Sequence, residues 1–294
     1  MEKAKPQIEE IIWDADNTLW NWVRYAGRAY RIAADIIIQE TRLPESVIIE
    51  GMKTFYTSVG TLEDAGLIQA LEKQGLFRSV KNYDRQQLIK KVKRNFDRIR
   101  TRYLQKYAGI DQLLYKTHQL GIRNVIVTDA PSFHAKMRLI RSKLHEHIDV
   151  MYAIKGRDVP DLPPEIQEKE RQGKYKVPFE IVEIELEKPH TPIEQVVKTR
   201  KHIKKDLVDY LRDHVAIIGD NDKKDMQLAR KHGCLGLHAM WGKAVQRDLK
   251  FLAKIAPASI TAKNVAIDPQ SENEETGNIV KVYRPSDIEK ILGI

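Results

Sequence analysis

The chain has 294 residues, 42% of them hydrophobic, with 50 Lys and Arg against 41 Asp and Glu, a formal charge of +9. That length buries a substantial core as one large domain or two small ones, no apolar run approaches the roughly 20 residues of a membrane span, and Met1 to Glu10 lacks the apolar centre of a secretory signal, so a cytoplasmic protein with no membrane partner is expected. Cys234 is the only cysteine, which excludes an intrachain disulfide and a cysteine-based zinc cage; the positive balance favours an anionic ligand.

The first element is the apolar run Ile11-Ile12-Trp13, which suits a buried parallel strand. It switches at Asp14-Ala15-Asp16-Asn17-Thr18 to two carboxylates one residue apart. Such strand ends are where open α/β sheets bind ligands. The competing reading is an Asx-turn in which Asp16 and Asn17 satisfy backbone N–H groups. Helical spacing follows, with Val23, Ala26, Tyr30, Ala33 and Ile37 recurring every three or four residues from Trp20 to Thr41. Further helices are expected over Pro44 to Tyr56, with proline near the first turn, and over Leu62 to Gln74, closed by Gly75. A fourth starts from Asp84 as N-cap. Its apolar stripe of Leu88, Val92, Phe96, Ile99 and Tyr103 is flanked by seven lysines and arginines between Lys90 and Arg102.

Beyond Gly109 strands return. Ile110 to Leu120 reads as a helix closed by Gly121, Asn124 to Val127 as a buried strand ending at Thr128-Asp129, Ser132 to His145 as a helix and Val150 to Ile154 as a strand. A polar excursion over 155–178 is expected to form a small flap within the core. A strand follows within Phe179 to Leu186, then a helix from Thr191-Pro192 and a strand, Val215 to Ile218, leading into Gly219-Asp220. Helix and strand patterns close the chain at Met226 to His232, Gly236 to Leu237, Ile279 to Tyr283 and Ser286 to Leu292, with a polar surface loop expected from Ser259 to Gly277. Strands alternating with helices imply right-handed crossovers in a parallel sheet. The expected fold is therefore α/β: a doubly wound, Rossmann-like parallel sheet core formed by 1–19 and 108–294, with an all-helical domain, 20–107, inserted above its carboxyl edge.

That topology gathers strand ends on one edge. Thr128, Lys188 in Glu187-Lys188-Pro189, and the acids of Gly219-Asp220-Asn221-Asp222-Lys223-Lys224-Asp225 join Asp14 and Asp16 there. A carboxylate pair, a hydroxyl, a lysine and a second acidic cluster meet the needs of phosphoryl transfer with a divalent metal. Magnesium takes a few carboxylate oxygens together with substrate phosphate and water, and the transferring group needs positive charge. Taken singly, Thr128 is an ordinary strand-end hydroxyl, Lys188 a solvated lysine, and Asp220 and Asp225 are loop residues capping the next helix.

In their order, these four segments resemble the haloacid dehalogenase-like (HAD) superfamily, whose phosphatases carry Asp-x-Asp-x-Thr, a Thr or Ser after a second strand, a separate lysine and Gly-Asp-x-x-x-x-Asp. The helical insert lies between the first and second motifs, where the superfamily places a C1-type cap. The resemblance implies a magnesium-dependent phosphatase that hydrolyses a phosphate monoester through an aspartyl-phosphate. Asp14 would be the nucleophile and Asp16 the acid, then the base. Thr128 would donate to the phosphoryl oxygens and Lys188 would offset their charge. Mg2+ would be held by Asp14, the backbone carbonyl of Asp16, Asp220 and Asp225, with Asp222 as an additional acid able to replace or assist Asp225. Asp129 departs from the pattern by adding negative charge where a smaller or amide side chain is expected. Asp16 separates phosphatases from dehalogenases, because carbon–halogen displacement does not need an acid for the leaving group in the same way.

The cap decides which substrates enter. Trp20, Arg24 and Arg28 follow the catalytic loop and are expected to contact a small phosphorylated substrate, an arginine suiting a second anionic group; the competing account has the tryptophans packing the hinge and the arginines solvated. The basic helix admits a nucleotide or nucleic-acid-end substrate. A charged face on an amphipathic helix is more often simply solvated, and no aromatic stacking platform is interleaved, so nucleic acid is not favoured. A phosphomutase shares the same first step, and a noncatalytic binding protein using the basic cap is the reading from another class.

Overall fold

The computed structural model describes residues 8–62, 66–81, 83–155, 164–198, 206–242, 246–256 and 278–294. The chain divides into two compact units, one of Met1–Trp20, Lys106–Lys243 and Glu272–Ile294, the other of Asn21–Gln105 and Ala244–Ser271.

The first unit is built on seven parallel strands: β1 (Glu10–Trp13), β2 (Arg123–Pro131), β3 (Val150–Ile154), β4 (Glu180–Ile184), β5 (Val215–Gly219), β6 (Leu235–Ala239) and β7 (Ile279–Val282). They form one sheet in the order β4-β3-β2-β1-β5-β6-β7. The chain winds outward from β1 in both directions, so the crevice between β1 and β5 is the topological switch point, where doubly wound sheets place ligands. Trp13 lies opposite Ile126 on one side and Ile218 on the other. Asp14 is the first residue past the end of β1, while β2 runs on to Pro131 and β5 to Gly219.

Burial on both faces explains why these strands read as continuous apolar runs. On one face Ile12, Val125, Val127, Val215 and Ile217 pack with Val196 of α8 (Ile193–Lys198), Tyr210 of α9 (Leu207–His214) and Leu228 of α10 (Gln227–His232). On the other, α5 (Ile110–Gln119) lies against β2 around a buried Asn124. The Asn124 carbonyl accepts from the Trp13 indole and the Thr117 hydroxyl, both at 3.0 Å, and its amide donates to the carbonyls of Leu114 and His147. A buried amide this fully bonded fixes strand, helix and loop together.

Two local expectations change. The strand expected over Asn124 to Val127 runs on to Pro131, with its register against β3 shifting between Thr128 and Pro131. Within the segment expected as a flap, Pro164–Arg171 forms α7, and Glu170 pairs with Lys136 of α6 (Ser132–Ser142). The rest of that segment from 156 to 163, and the polar loop of 259–277, lie outside the described residues.

The second unit is helical: α1 (Trp22–Thr41), α2 (Glu45–Val59), α3 (Leu67–Lys73), α4 (Arg85–Tyr103) and α11 (Gln246–Ile255). The Asn21 side chain caps α1 by accepting from Arg24 N–H, and that of Asp84 caps α4 by accepting from Gln87 N–H, each satisfying a donor the helix start leaves open. A common core gathers Ala26, Ile37, Ile48, Met52, Tyr56, Leu71 and Leu88. The boundaries expected from sequence, 20–107, need correction because α11 belongs to this unit: Leu249, Phe251, Leu252 and Ile255 are buried in the same core. Full burial of a large apolar side chain stabilises by about 2 kcal/mol, so four such residues give α11 a strong reason to dock there. Gly27 permits the contact, since a Cβ at that position would stand 2.7 Å from Asp248 Cβ. Among the described residues no helix is long and apolar enough to cross a membrane.

Candidate active site

The loop after β1 is held from several sides. Asp14 N–H donates to the Ile218 carbonyl at 2.8 Å, tying the loop to β5, and Leu19 N–H closes a turn onto the Ala15 carbonyl at 2.9 Å. Asn17 takes a left-handed conformation, φ 63°, which asparagine tolerates better than most residues. The Thr18 hydroxyl donates to Asp14 Oδ2 at 3.0 Å. The Trp241 indole donates to the Thr18 carbonyl at 3.0 Å. Gly242 lies against the loop so closely that a Cβ would fall 2.2 Å from the Asn17 carbonyl oxygen and 2.7 Å from Asp220 Cβ.

Lys188, only 4% exposed, brings its ammonium to the Asp14 carboxylate and to Asp225 Oδ1, the latter at 2.6 Å. Asp225 comes from a helical turn, Asp222–Met226, after β5. Gly219 is what lets it in, because a Cβ there would lie 2.2 Å from the Asp225 carboxyl group. Asn221 N–H donates to Asp225 Oδ2 at 3.1 Å, while the Asn221 side chain accepts from Lys223 N–H and Lys224 N–H. His238 on β6 makes a 3.0 Å contact through Nε2 with the Asp220 carbonyl.

Asp14, Asp220 and Asp225 each place an oxygen within 4.8 Å of the other two. Burial first, then mutual repulsion, disfavours ionising them together. Asp220 is held well above the ordinary carboxylate value, Asp225 is pushed up to about 6, and Asp14 is raised despite its lysine partner. Burial opposes the charge of Lys188, but Asp14, Asp225 and Asp129 outweigh it and hold the ammonium well above the usual lysine value. Were all three ionised, they would exceed the one ammonium by about two negative charges. All three offer hard oxygen ligands, so the donor set and its charge fit magnesium.

Other residues singled out from sequence fall as follows. Thr128 is buried two residues past Ile126, on the strand beside β1, and its hydroxyl accepts from Ala130 N–H at 3.1 Å. Asp222 lies outside the acidic cluster and pairs with Arg230 at 2.8 Å, so the helical turn presents Asp225 and not Asp222 to the other two acids. The Asp16 side chain also stands apart from that cluster, bound to Arg138 and Trp20. Trp20, expected to face a substrate, is instead 1% exposed and donates its indole N–H to Asp16. In the helical unit Arg24 and Arg28 lie over the Tyr103 ring at 5.4 and 4.3 Å, and Arg28 also pairs with Asp248 at 3.8 Å. Those contacts all lie within the helical unit.

Asp129 has a structural explanation. Its Oδ1 accepts Lys188 N–H at 3.0 Å and its Oδ2 accepts from the Lys224 ammonium at 2.6 Å, so it ties the lysine loop to β2. Burial raises its carboxyl, but the two lysines win and hold it below the ordinary value. Arg138, His238, Trp241 and Gly242 carried no signal in sequence: each meets the site across more than 15 residues of chain.

No family model matches the chain, and no curated protein matches it. Solved structures do. The 2-haloacid dehalogenase of Pseudomonas syringae pv. Tomato aligns over 97% of this chain and 98% of its own at 14% identity, with a TM-score of 0.53. A haloacid dehalogenase-like family hydrolase from Xanthomonas campestris covers 98% and 97% at 12% identity, TM-score 0.48. The magnesium-bound YfnB of Bacillus subtilis covers 98% and 100% at 14% identity, TM-score 0.48. The chain has a HAD-like fold: a doubly wound parallel sheet with its acidic cluster at the switch point.

Proposed function

We propose that this protein is a magnesium-dependent phosphatase that hydrolyses a small phosphate monoester through an aspartyl-phosphate on Asp14. The observation that carries this reading is the gathering of Asp14, Asp220 and Asp225, with the Lys188 ammonium paired to the first and last of them. Magnesium held by the three carboxylates and the Asp16 carbonyl would polarise the phosphoryl oxygens and offset their charge. Asp14 attacks phosphorus as the bond to the leaving oxygen breaks. Lys188 faces the nucleophile and keeps it oriented while the transferring group brings in negative charge. Asp16 gives its proton to the leaving oxygen, releasing an alcohol. It then takes a proton from water, whose oxygen attacks the phosphorus of the aspartyl-phosphate, releasing inorganic phosphate and restoring Asp14.

Asp16 favours phosphatase over dehalogenase chemistry, since halide departs without a proton. A small substrate is favoured over nucleic acid because a charge run on an amphipathic helix is ordinarily a solvated face, and Arg85, Lys91 and Arg100 of the basic helix already pair with Glu72, Glu40 and Asp97.

The test is phosphate release from a panel of metabolite monoesters, with and without magnesium, against an Asp14→Asn control. Turnover that requires both the metal and Asp14 supports the reading. Wild-type release no greater than that of the control on every ester contradicts it.

A further inference from the structure

A carboxylate on a loop aims a proton only as well as its neighbours hold it. Two side-chain donors among the described residues hold Asp16. The Trp20 indole N–H donates to Oδ1 at 2.6 Å, and Arg138 Nη1 lies 2.8 Å from both Oδ1 and Oδ2. Arg138 is 7% exposed and projects from α6. The guanidinium is thus fixed to the helix that follows β2 and does not move with the loop. The loop itself is closed by Asn17 N–H donating to the Trp20 carbonyl at 2.8 Å, so the indole and the carboxylate it binds belong to one turn. Desolvating a guanidinium costs more than forming a surface pair does, and the carboxylate it meets here is the one to which the phosphatase reading assigns proton transfer.

We propose that Arg138 is the positioning residue of Asp16 and, with the Trp20 indole, fixes which carboxylate oxygen meets the leaving group. This rests on the phosphatase reading above. Both oxygens accept from Arg138, and Oδ1 accepts from the indole as well, which makes it the more firmly anchored of the two. Oδ2 delivers the proton as the phosphorus–oxygen bond breaks and its electron pair passes to the leaving oxygen. An alkoxide needs that proton, whereas a nitrophenolate leaves well without it. Arg138 therefore governs turnover of alkyl esters and has little influence on phosphorylation of Asp14 by a nitrophenyl ester.

The experiment is rapid-mixing kinetics of wild type, Arg138→Ala and Arg138→Lys with magnesium, using 4-nitrophenyl phosphate and glycerol phosphate. In Arg138→Ala the nitrophenolate burst should stay within about threefold of wild type, while kcat on glycerol phosphate falls about 10²-fold with KM little changed. Added guanidinium ion should restore part of the alkyl-ester rate to Arg138→Ala, and Arg138→Lys should retain more of it than the alanine variant. A nitrophenolate burst that falls as far as glycerol phosphate turnover, in a variant that guanidinium does not rescue, would assign Arg138 to the fold or to phosphoryl binding and overturn the proposal. Unchanged turnover of both would also overturn it. A wild type inactive on both esters, and on the wider panel, would instead remove the phosphatase reading on which this role depends.

Discussion

Lys188 and Asp225 form an ion pair at 2.6 Å in which both side chains are almost wholly withdrawn from water, 3% and 2% exposed. The same ammonium also faces Asp14, so one cation serves two buried acids. Removing one partner of a buried pair leaves a charge uncompensated, which is far more damaging than losing a surface pair.

Lys188→Met should therefore fail in two measurable ways. Phosphate release should fall by at least about 10²-fold as the charge facing the phosphoryl group is lost. Urea unfolding of the metal-free protein should show a loss of about 3 kcal/mol. Magnesium should recover part of the stability, because the cation offsets the same carboxylates, but not the activity. A variant as stable and as active as wild type would show that the pair is not the centre of the site.

Asp129 and Lys224 should behave as a coupled pair. Asp129→Ala removes both the acceptor for Lys188 N–H and the partner of Lys224, so it should destabilise more than Lys224→Ala. A double-mutant cycle by urea denaturation should give a coupling of about 1 kcal/mol. Additive effects would mean that the 2.6 Å contact contributes nothing to the fold.

Gly242→Ala tests the buttress against the loop that follows β1. A methyl group cannot fit 2.2 Å from a carbonyl oxygen, so loop or buttress must shift, at about 1–3 kcal/mol. Thermal denaturation should register that loss, and kcat should fall more than KM rises because Asn17 and Asp220 are both displaced. An unchanged melting temperature would place Gly242 further from the loop.

His232 sets a pH dependence away from the acidic cluster. Burial holds its ring below the ordinary histidine value, outweighing Glu194 at 3.4 Å. In the unfolded chain the ring titrates near pH 6.5, so between the folded and unfolded values the unfolded state binds more protons. Stability from this group is complete above about pH 6.5 and is lost as pH falls through that value towards the lower folded one. Urea midpoints measured from about pH 5 to about pH 7.5 should decline on the acid side less steeply in His232→Gln than in wild type. Identical slopes would show that this ring does not contribute.

Much of this molecule is legible locally. Ile11 to Trp13 and Val215 to Ile218 announce buried strands through apolar runs, and the acids that follow mark the strand ends. What sequence conceals is set by distant contacts. The apolar face of α11 finds its partners more than 190 residues earlier in the chain, at Ala26 and Met52 among others, and no local pattern shows that return. Asp222 and Asp225 look interchangeable in sequence; the turn that carries them gives one to Arg230 and the other to Lys188. Arg138 reads as one more basic residue on an amphipathic helix until the fold sets its guanidinium against Asp16.

The central claim is that Asp14 becomes covalently phosphorylated, and its most direct test is acid-quenching the enzyme during turnover and mapping the phosphate by peptide mass spectrometry. A phosphoryl group on Asp14 that hydroxylamine removes, that builds up in Asp16→Asn and that is missing from Asp14→Asn is the predicted result. Turnover that proceeds with no phosphate on Asp14 in any of these proteins would contradict the account.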